Sequence, residues 1–157
     1  MAKQWARNGP STLFGLMDSN FPNMFLSGPW QIGFSINYLF NMDVLAKQAA
    51  YILTTALKIA DGGTDSVTVE APSDGATFWA RQLLIHSKAS SVIFGCHSHL
   101  IEPDADIKKL PEPVIKKAAQ YAVWGKGIED FSRIMEEWRE DGRMMGIRVR
   151  WNGPNSV

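Results

Sequence analysis

A single cysteine, Cys96, is all that the 157 residues offer, so no disulfide can form within the chain and a reducing compartment is the fitting environment. Histidine is scarce too. Charge of one sign is missing as well: sixteen Lys and Arg balance sixteen Asp and Glu, which leaves no overall field to recruit nucleic acid or an anionic membrane. Neither is expected as a partner. The amino-terminal run from Met1 to Pro10 lacks the apolar core of a signal peptide. The most apolar stretch, Tyr38 to Ile59, is interrupted by Asn41, Asp43, Lys47 and Gln48 and is too polar for a membrane span. The expected location is cytoplasmic. Several chemical signatures are absent: no G-x-G-x-x-G follows a strand, and there is no G-x-x-x-x-G-K-[ST] phosphate cradle and no G-x-S-x-G nucleophile elbow. The usual devices for holding a nucleotide are therefore not here.

What is present suits a folded protein of one ordinary domain's length, with 45% hydrophobic and 20% charged residues. The runs Thr12 to Leu16 and Met24 to Ser27 are bounded by Pro22-Asn23 and Gly28-Pro29, which predicts short extended pieces between loops. From about Asn37 to Lys58, Leu45, Ala49, Ile52, Ala56 and Ile59 recur at helical spacing, with Asp61-Gly62-Gly63 as the stop. Ser66 to Glu70 alternates like a strand, and Ser73 is the expected cap of a helix carrying Phe78, Trp79, Leu83 and Leu84. The stretch Ser90 to Leu110, with Gly95 and Pro103, has no helical period and predicts an irregular loop. Pro111 and Pro113 open a short helix through Tyr121, and Ile128, Phe131, Ile134, Met135 and Trp138 stripe another that stops at Gly142. Ile147 and Val149 alternating with Arg148 and Arg150 predict a closing half-buried strand. The fold class expected is α+β, a mostly helical fragment with a few short strands.

The segment Phe21-Pro22-Asn23-Met24-Phe25-Leu26-Ser27-Gly28-Pro29, followed by a helix rich in Ala, Gln and Tyr, resembles the last part of the flavin domain in Baeyer–Villiger monooxygenases. The resemblance continues in family order through Val69-Glu70-Ala71-Pro72 with Trp79, Ser91 to Gly95, Trp124 to Phe131, and Glu137 to Gly142. It implies that residues 1–63 are a remnant of the FAD domain's terminal strand and helix, and 64–157 a carboxyl-terminal helical subdomain. It also implies that Gly28, Pro29 and Trp30 lie at a turn facing cofactor and substrate. The family uses FAD and NADPH to insert oxygen beside a ketone, and a small ketone-like ligand is the implied substrate class. The family's upstream nucleotide-binding folds have no counterpart in this sequence, so no cofactor is expected to bind the chain alone.

A rival of another class is a cofactor-free binding protein or acid–base isomerase or cyclase derived from that family. It would use His97, His99 and Glu102, two imidazoles on one side of an extended run with a carboxylate nearby. Solvated loop histidines are the commoner situation, and a metal site would need a further ligand, so no metal is expected. Lys108, Lys109, Lys116 and Lys117 are balanced by Asp104, Asp106 and Glu112, which reads as a mixed solvated face. Trp79 and Trp138 fall on helical stripes and are expected in the core, while Trp30 is the aromatic expected to line a pocket. Phe21, Phe25, Phe34 and Phe40 are expected to face water, predicting self-association or a partner chain through residues 12–45.

Overall fold

The computed structural model describes residues 11–28, 30–60, 67–94, 109–119 and 122–151, with side chains in the second helix followed as far as His86. Two strands, β1 (Thr12–Leu13) and β2 (Met17–Asp18), form a minimal antiparallel hairpin. Its turn places Phe14 and Gly15 at positive φ, 58° and 69°. At Gly15 an added Cβ would lie 2.6 Å from the Trp30 carbonyl oxygen, so only glycine permits the next loop to approach this closely. The expected strand at Met24 to Ser27 is reduced to one bridge, Phe25 to Met17, together with a 2.6 Å hydrogen bond from Leu26 N to Leu16 O.

Helix α1 (Tyr38–Ile59) begins where the Asn37 side chain accepts a hydrogen bond from Phe40 N. Val44, Leu45, Gln48, Ile52 and Ala56 form its buried stripe. Ala49 is half-buried, and Ile59, expected on that stripe, is 44% exposed at the final helical position, beyond the last buried turn at Ala56. The Asp61-Gly62-Gly63 stop lies outside the described residues.

Strand β3 (Thr68–Glu70) pairs antiparallel with β4 (Arg148–Arg150), matching Val69 with Val149. Glu70 takes Arg148 at 3.0 Å and Arg150 at 2.6 Å. The opposite side of β3 is taken by Asn23, held at φ 58°. Its backbone N–H donates to Val69 O at 2.8 Å, its Oδ1 accepts from Val69 N at 2.7 Å, and its Nδ2 donates to Val67 O at 3.1 Å. One asparagine thus stands in for a neighbouring strand.

Helix α2 (Ser73–Phe94) corrects two expectations. It runs through Ser91 to Phe94, so the start of the expected irregular loop is helical backbone, and the remainder, 95–108, lies outside the described residues. The Ser73 hydroxyl is engaged with α3 (Glu112–Ala119), donating to Glu112 at 3.2 Å and accepting from Lys116 at 2.8 Å. Glu112 also receives Thr77 Oγ1 at 2.8 Å and pairs with Lys116 at 2.5 Å. Lys116 is therefore paired with Glu112, as the mixed-face reading expected. The expected end of α3 at Tyr121 falls outside the described residues.

Helix α4 (Gly127–Asp141) buries Ile128, Phe131 and Met135, with Ile134 and Trp138 half-buried, and stops at Gly142 in the left-handed region, φ 70°. Among the described residues, four helices and two small sheets give the mostly helical α+β architecture expected. The main core joins Leu13, Leu16 and Met17 to Leu45, Ile52 and Ala56 of α1, Trp79 and Leu83 of α2, and Ile128, Phe131 and Met135 of α4. A satellite cluster of Ala80, Leu84, Ile115, Ala118 and Ala119 fastens α3 to α2. Phe14 packs edge-on against both Trp79 and Trp138, with ring centroids 5.2 and 5.4 Å apart, so both tryptophans are packing residues as expected. Among the described residues no helix is long and apolar enough to cross a membrane.

Two measurements test this packing. Ile52 is fully buried, and Ile52→Asp would place an unpaired carboxylate there, costing about 4 kcal/mol or more; thermal unfolding by circular dichroism should show loss of the cooperative transition, and an unchanged midpoint would refute the core assignment. Glu112 has its pKa lowered to about 2, by the Lys116 hydrogen bond first and then that of Thr77. A depressed carboxylate stabilises the fold above its unfolded value of 4.5 and loses that contribution as pH falls through about 2. Because the side chain is half-exposed, Glu112→Gln should cost only about 0.5 kcal/mol at pH 7, and denaturant melts should show that difference vanishing by pH 2.

Candidate functional site

The candidate site is the loop from Gly28 to Phe34, because it bears the residues that the resemblance places at a ligand-facing turn and because it sits at the meeting point of β1, α2, α3 and α4. Its fixed point is Gln31, fully buried at φ 62°, a conformation that costs a side-chain-bearing residue and persists only where surroundings enforce it. Four hydrogen bonds enforce it. The Gln31 N–H donates to Ala122 O at 3.2 Å, and its carbonyl accepts from Trp79 Nε1 at 3.1 Å. Its Nε2 donates to Ala119 O at 3.1 Å, and its Oε1 accepts from the Thr12 hydroxyl.

Two glycines frame Gln31. Gly33 faces the start of α4 so closely that an added Cβ would come within 2.6 Å of Ile128 Cα and 2.7 Å of Gly127 O. Gly33 also bridges Trp124 in parallel, with Trp124 N donating to Ile32 O at 2.8 Å. At Gly28 an added Cβ would strike the Trp30 indole at 2.6 Å, so the ring folds back over the glycine. Trp30 remains 53% exposed and presents one indole face outward. Pro29 lies outside the described residues.

Behind the loop the aromatic side chains are layered. Trp79 and Trp124 stack with planes 5° apart and centroids at 5.2 Å, and the His86 imidazole lies 4.5 Å from Trp124. Burial first, then the positive charge of Lys126, lowers the His86 pKa against the pull of Asp130. Asp130 accepts from Trp124 Nε1 at 2.7 Å and from Arg133. Burial of this carboxyl works against ionisation, but the hydrogen bonds from Arg133 and Trp124, with the charges of Arg133 and Lys126, hold its pKa below the ordinary range. These groups lock the start of α4, and Trp30 and Phe34 are the exposed aromatic side chains of the loop.

The structure bears unevenly on the residues singled out in the sequence. Gly28 and Trp30 are brought together, with Gly28 covered by the indole. His97, His99, Glu102 and Cys96 lie outside the described residues. Among the described residues no group of three His, Cys, Asp or Glu side chains could hold a metal ion. Of the four phenylalanines expected in water, Phe34 and Phe40 are exposed, whereas Phe21 and Phe25 are half-buried against the hairpin region. Sequence reasoning missed Gln31, Gly33 and His86. The pair of glycines five positions apart around a polar residue was the available signal for the first two.

As a test of fit to a flavin dinucleotide, the described residues do not supply a complete site. The space beside Gly28, the glycine that the resemblance sets at a cofactor-facing turn, is filled by the Trp30 indole. Among the described residues the buried side-chain atoms without a protein partner are Ser11 Oγ, just before β1, and Asn41 Oδ1 and Gln48 Nε2 on the core-facing side of α1, where Gln48 Oε1 accepts from Arg139 at 2.9 Å.

The fold itself is shared with a solved structure, the polycyclic ketone monooxygenase from the thermophilic fungus Thermothelomyces thermophila: the TM-score is 0.74 over 95% of this chain and 22% of that one, at 23% identity. By sequence, the FAD-binding monooxygenase ausC of Emericella nidulans is 34% identical across 95% of this chain and 22% of its own length. The FAD-binding monooxygenase trt3 of Aspergillus terreus is 30% identical across 98% of this chain and 24% of its own, and ausB of Emericella nidulans is 30% identical across 97% and 20%. No family model matches the chain. The chain is homologous along nearly its whole length to FAD-binding monooxygenases and spans about a fifth to a quarter of the length of the curated relatives it matches.

Replacing Gln31 with Leu leaves two buried partners, the Thr12 hydroxyl and the Ala119 carbonyl, without compensation at a strained backbone position; it should cost about 2–3 kcal/mol. Urea denaturation checks this, and a cost below about 0.5 kcal/mol would show that the loop is held by something else.

Proposed function

We propose that this chain supplies the end segment of a Baeyer–Villiger-type monooxygenase, the part that closes a flavin-binding body and contributes the Trp30 turn to its substrate side. The whole enzyme would insert one oxygen atom beside a ketone at the expense of oxygen and NADPH, with FAD supplying the redox chemistry. What supports the reading is alignment along 95–98% of this chain with only 20–24% of the FAD-binding relatives. In this reading residues 1–63 derive from the end of the flavin domain and 64–157 from the helical region that follows, joined through the common core. Gly28, Pro29 and Trp30 form the cofactor-side turn, and the exposed aromatic residues within 12–45 meet the flavin-binding polypeptide. A cytoplasmic location accords with the lone cysteine.

The 157 residues carry no dinucleotide-binding turn, so by themselves they leave the reaction undone and hold flavin no better than about millimolar, worth only about 4 kcal/mol. Titration of FAD into the purified chain, followed by flavin fluorescence and by NADPH consumption with a cyclic ketone, checks this directly. The expected result is a colourless protein with neither quenching nor turnover. A stoichiometrically yellow protein, or ketone oxygenation by this chain alone, would overturn the proposal.

A further inference from the structure

Five aromatic rings touch in single file through the core. Trp124 lies flat on Trp79, Trp79 meets Phe14 edge-on, Phe14 meets Trp138, and Trp138 meets Tyr51, with ring centroids 5.2, 5.2, 5.4 and 5.9 Å apart in that order. Every ring of the file except Phe14 can give up one electron. The file starts in the buried interior directly behind the candidate-site loop, where Trp124 N donates to Ile32 O at 2.8 Å. It ends toward water, because Tyr51 is half-buried and its phenol oxygen lies 4.0 Å from the place a Cβ would take at exposed Gly142. Core packing explains why rings touch. It is indifferent to which of them are indoles and to a phenol standing at the wet end.

We propose that these side chains carry an electron hole from Trp124 to Tyr51, so that an oxidising equivalent arising behind the loop leaves at the surface. The indole N–H groups mark the entry. Those of Trp79 and Trp138 meet neutral carbonyls, Gln31 O at 3.1 Å and Met145 O at 3.0 Å. That of Trp124 meets the Asp130 carboxylate at 2.7 Å, with Arg133 on the other carboxylate oxygen. A negative oxygen in contact with the indole N–H stabilises the radical cation, so Trp124 is the indole of the file that releases an electron most readily. In the first step a hydroxyl radical takes one electron from Trp124 and becomes hydroxide. The flat stack, with planes 5° apart, shares the positive charge with Trp79. Trp138 then refills Trp79 across Phe14, and Tyr51 refills Trp138. Tyr51 releases its phenolic proton to water with the electron, and that coupled loss makes a phenol easier to oxidise than an indole at neutral pH, which draws the hole outward. A soluble thiol returns a hydrogen atom to the tyrosyl radical and leaves as a thiyl radical. Tunnelling falls off exponentially with distance, so short steps between touching rings outrun one jump across the core. The use of the path rests on the oxygen chemistry proposed above, but conduction needs no flavin, so the two stand or fall in separate experiments.

Tyr51 becomes the only tyrosine when Tyr38→Phe and Tyr121→Phe are combined. Laser photoionisation of that chain under nitrous oxide, which removes the ejected electrons, loads holes on buried and exposed indoles alike. The tryptophan and tyrosyl radicals are then followed by their separate visible absorptions. The expected result is a delayed tyrosyl rise that mirrors decay of the tryptophan signal, at a rate independent of protein concentration. Trp138→Phe should abolish this rise. Trp124→Phe, which keeps a ring in the stack, should reduce its amplitude, and both variants should keep the parent helical spectrum. A tyrosyl signal formed only during the pulse overturns the proposal, as does a rate that grows with protein concentration. A delayed rise that survives Trp138→Phe, or one with full amplitude in Trp124→Phe, overturns it equally.

Discussion

The arrangement depends on one buried amide. Gln31 links the hairpin through Thr12, α2 through Trp79, the end of α3 through Ala119, and the approach to α4 through Ala122. Each of these groups would otherwise be a buried donor or acceptor without a partner, and the penalty for that exceeds the net gain of an ordinary hydrogen bond. A completely satisfied polar centre therefore does what apolar packing cannot: it fixes one geometry among the many that a core of Leu, Ile and Trp would tolerate. The positive φ at Gln31 is the cost of turning the backbone so that both its amide and its side chain point into the protein.

From that centre the packing spreads in a definite order. The Trp79 indole that donates to Gln31 is also the hub of the aromatic layer, edge-on to Phe14 and Phe131 and flat against Trp124. Trp124 in turn hands a hydrogen bond to Asp130 in the first turn of α4, where a negative charge also suits the helix dipole. The loop that carries Trp30 is thus held from behind by a rigid stack, and the Trp30 and Phe34 rings stay exposed at its outer side. Sites are most precise when the loop presenting them is pinned to scaffold elements in this manner.

Much of this was legible in the sequence where local rules decide the outcome. The stripe in α1 marked Leu45, Ile52 and Ala56, and the stripe in α4 marked Ile128, Phe131 and Met135, because the helical period reports burial directly. The alternation after Met144 marked a strand for the same reason. The resemblance to flavin-dependent monooxygenases, carried by short motifs in order, agrees with the relatives and with the shared fold. The misses have long-range causes. Ser73 read as a cap because its local setting is that of one, yet its hydroxyl meets Lys116 from 43 positions away. The helix through Phe94 was hidden because Ala89, Ser90 and Ser91 offer no apolar stripe. Gln31 was invisible because nothing about a glutamine announces a left-handed backbone. The candidate site was legible at Gly28 and Trp30, whose contact with each other only the coordinates reveal.

Asn23 has a bearing on how the protein survives its own synthesis. A strand of three residues flanked on one side by β4 would ordinarily present a bare row of N–H and C=O groups on the other, a ready template for a neighbouring chain to extend into a growing fibre. By taking both the N–H and the carbonyl of Val69, and the carbonyl of Val67, with one side chain and one backbone amide, Asn23 closes that template without building another strand that would itself need closing. The far side of the sheet is guarded differently, by the charges of Arg148 and Arg150 on β4. The two-stranded sheet is thereby sealed at one border by shape and flanked at the other by charged side chains.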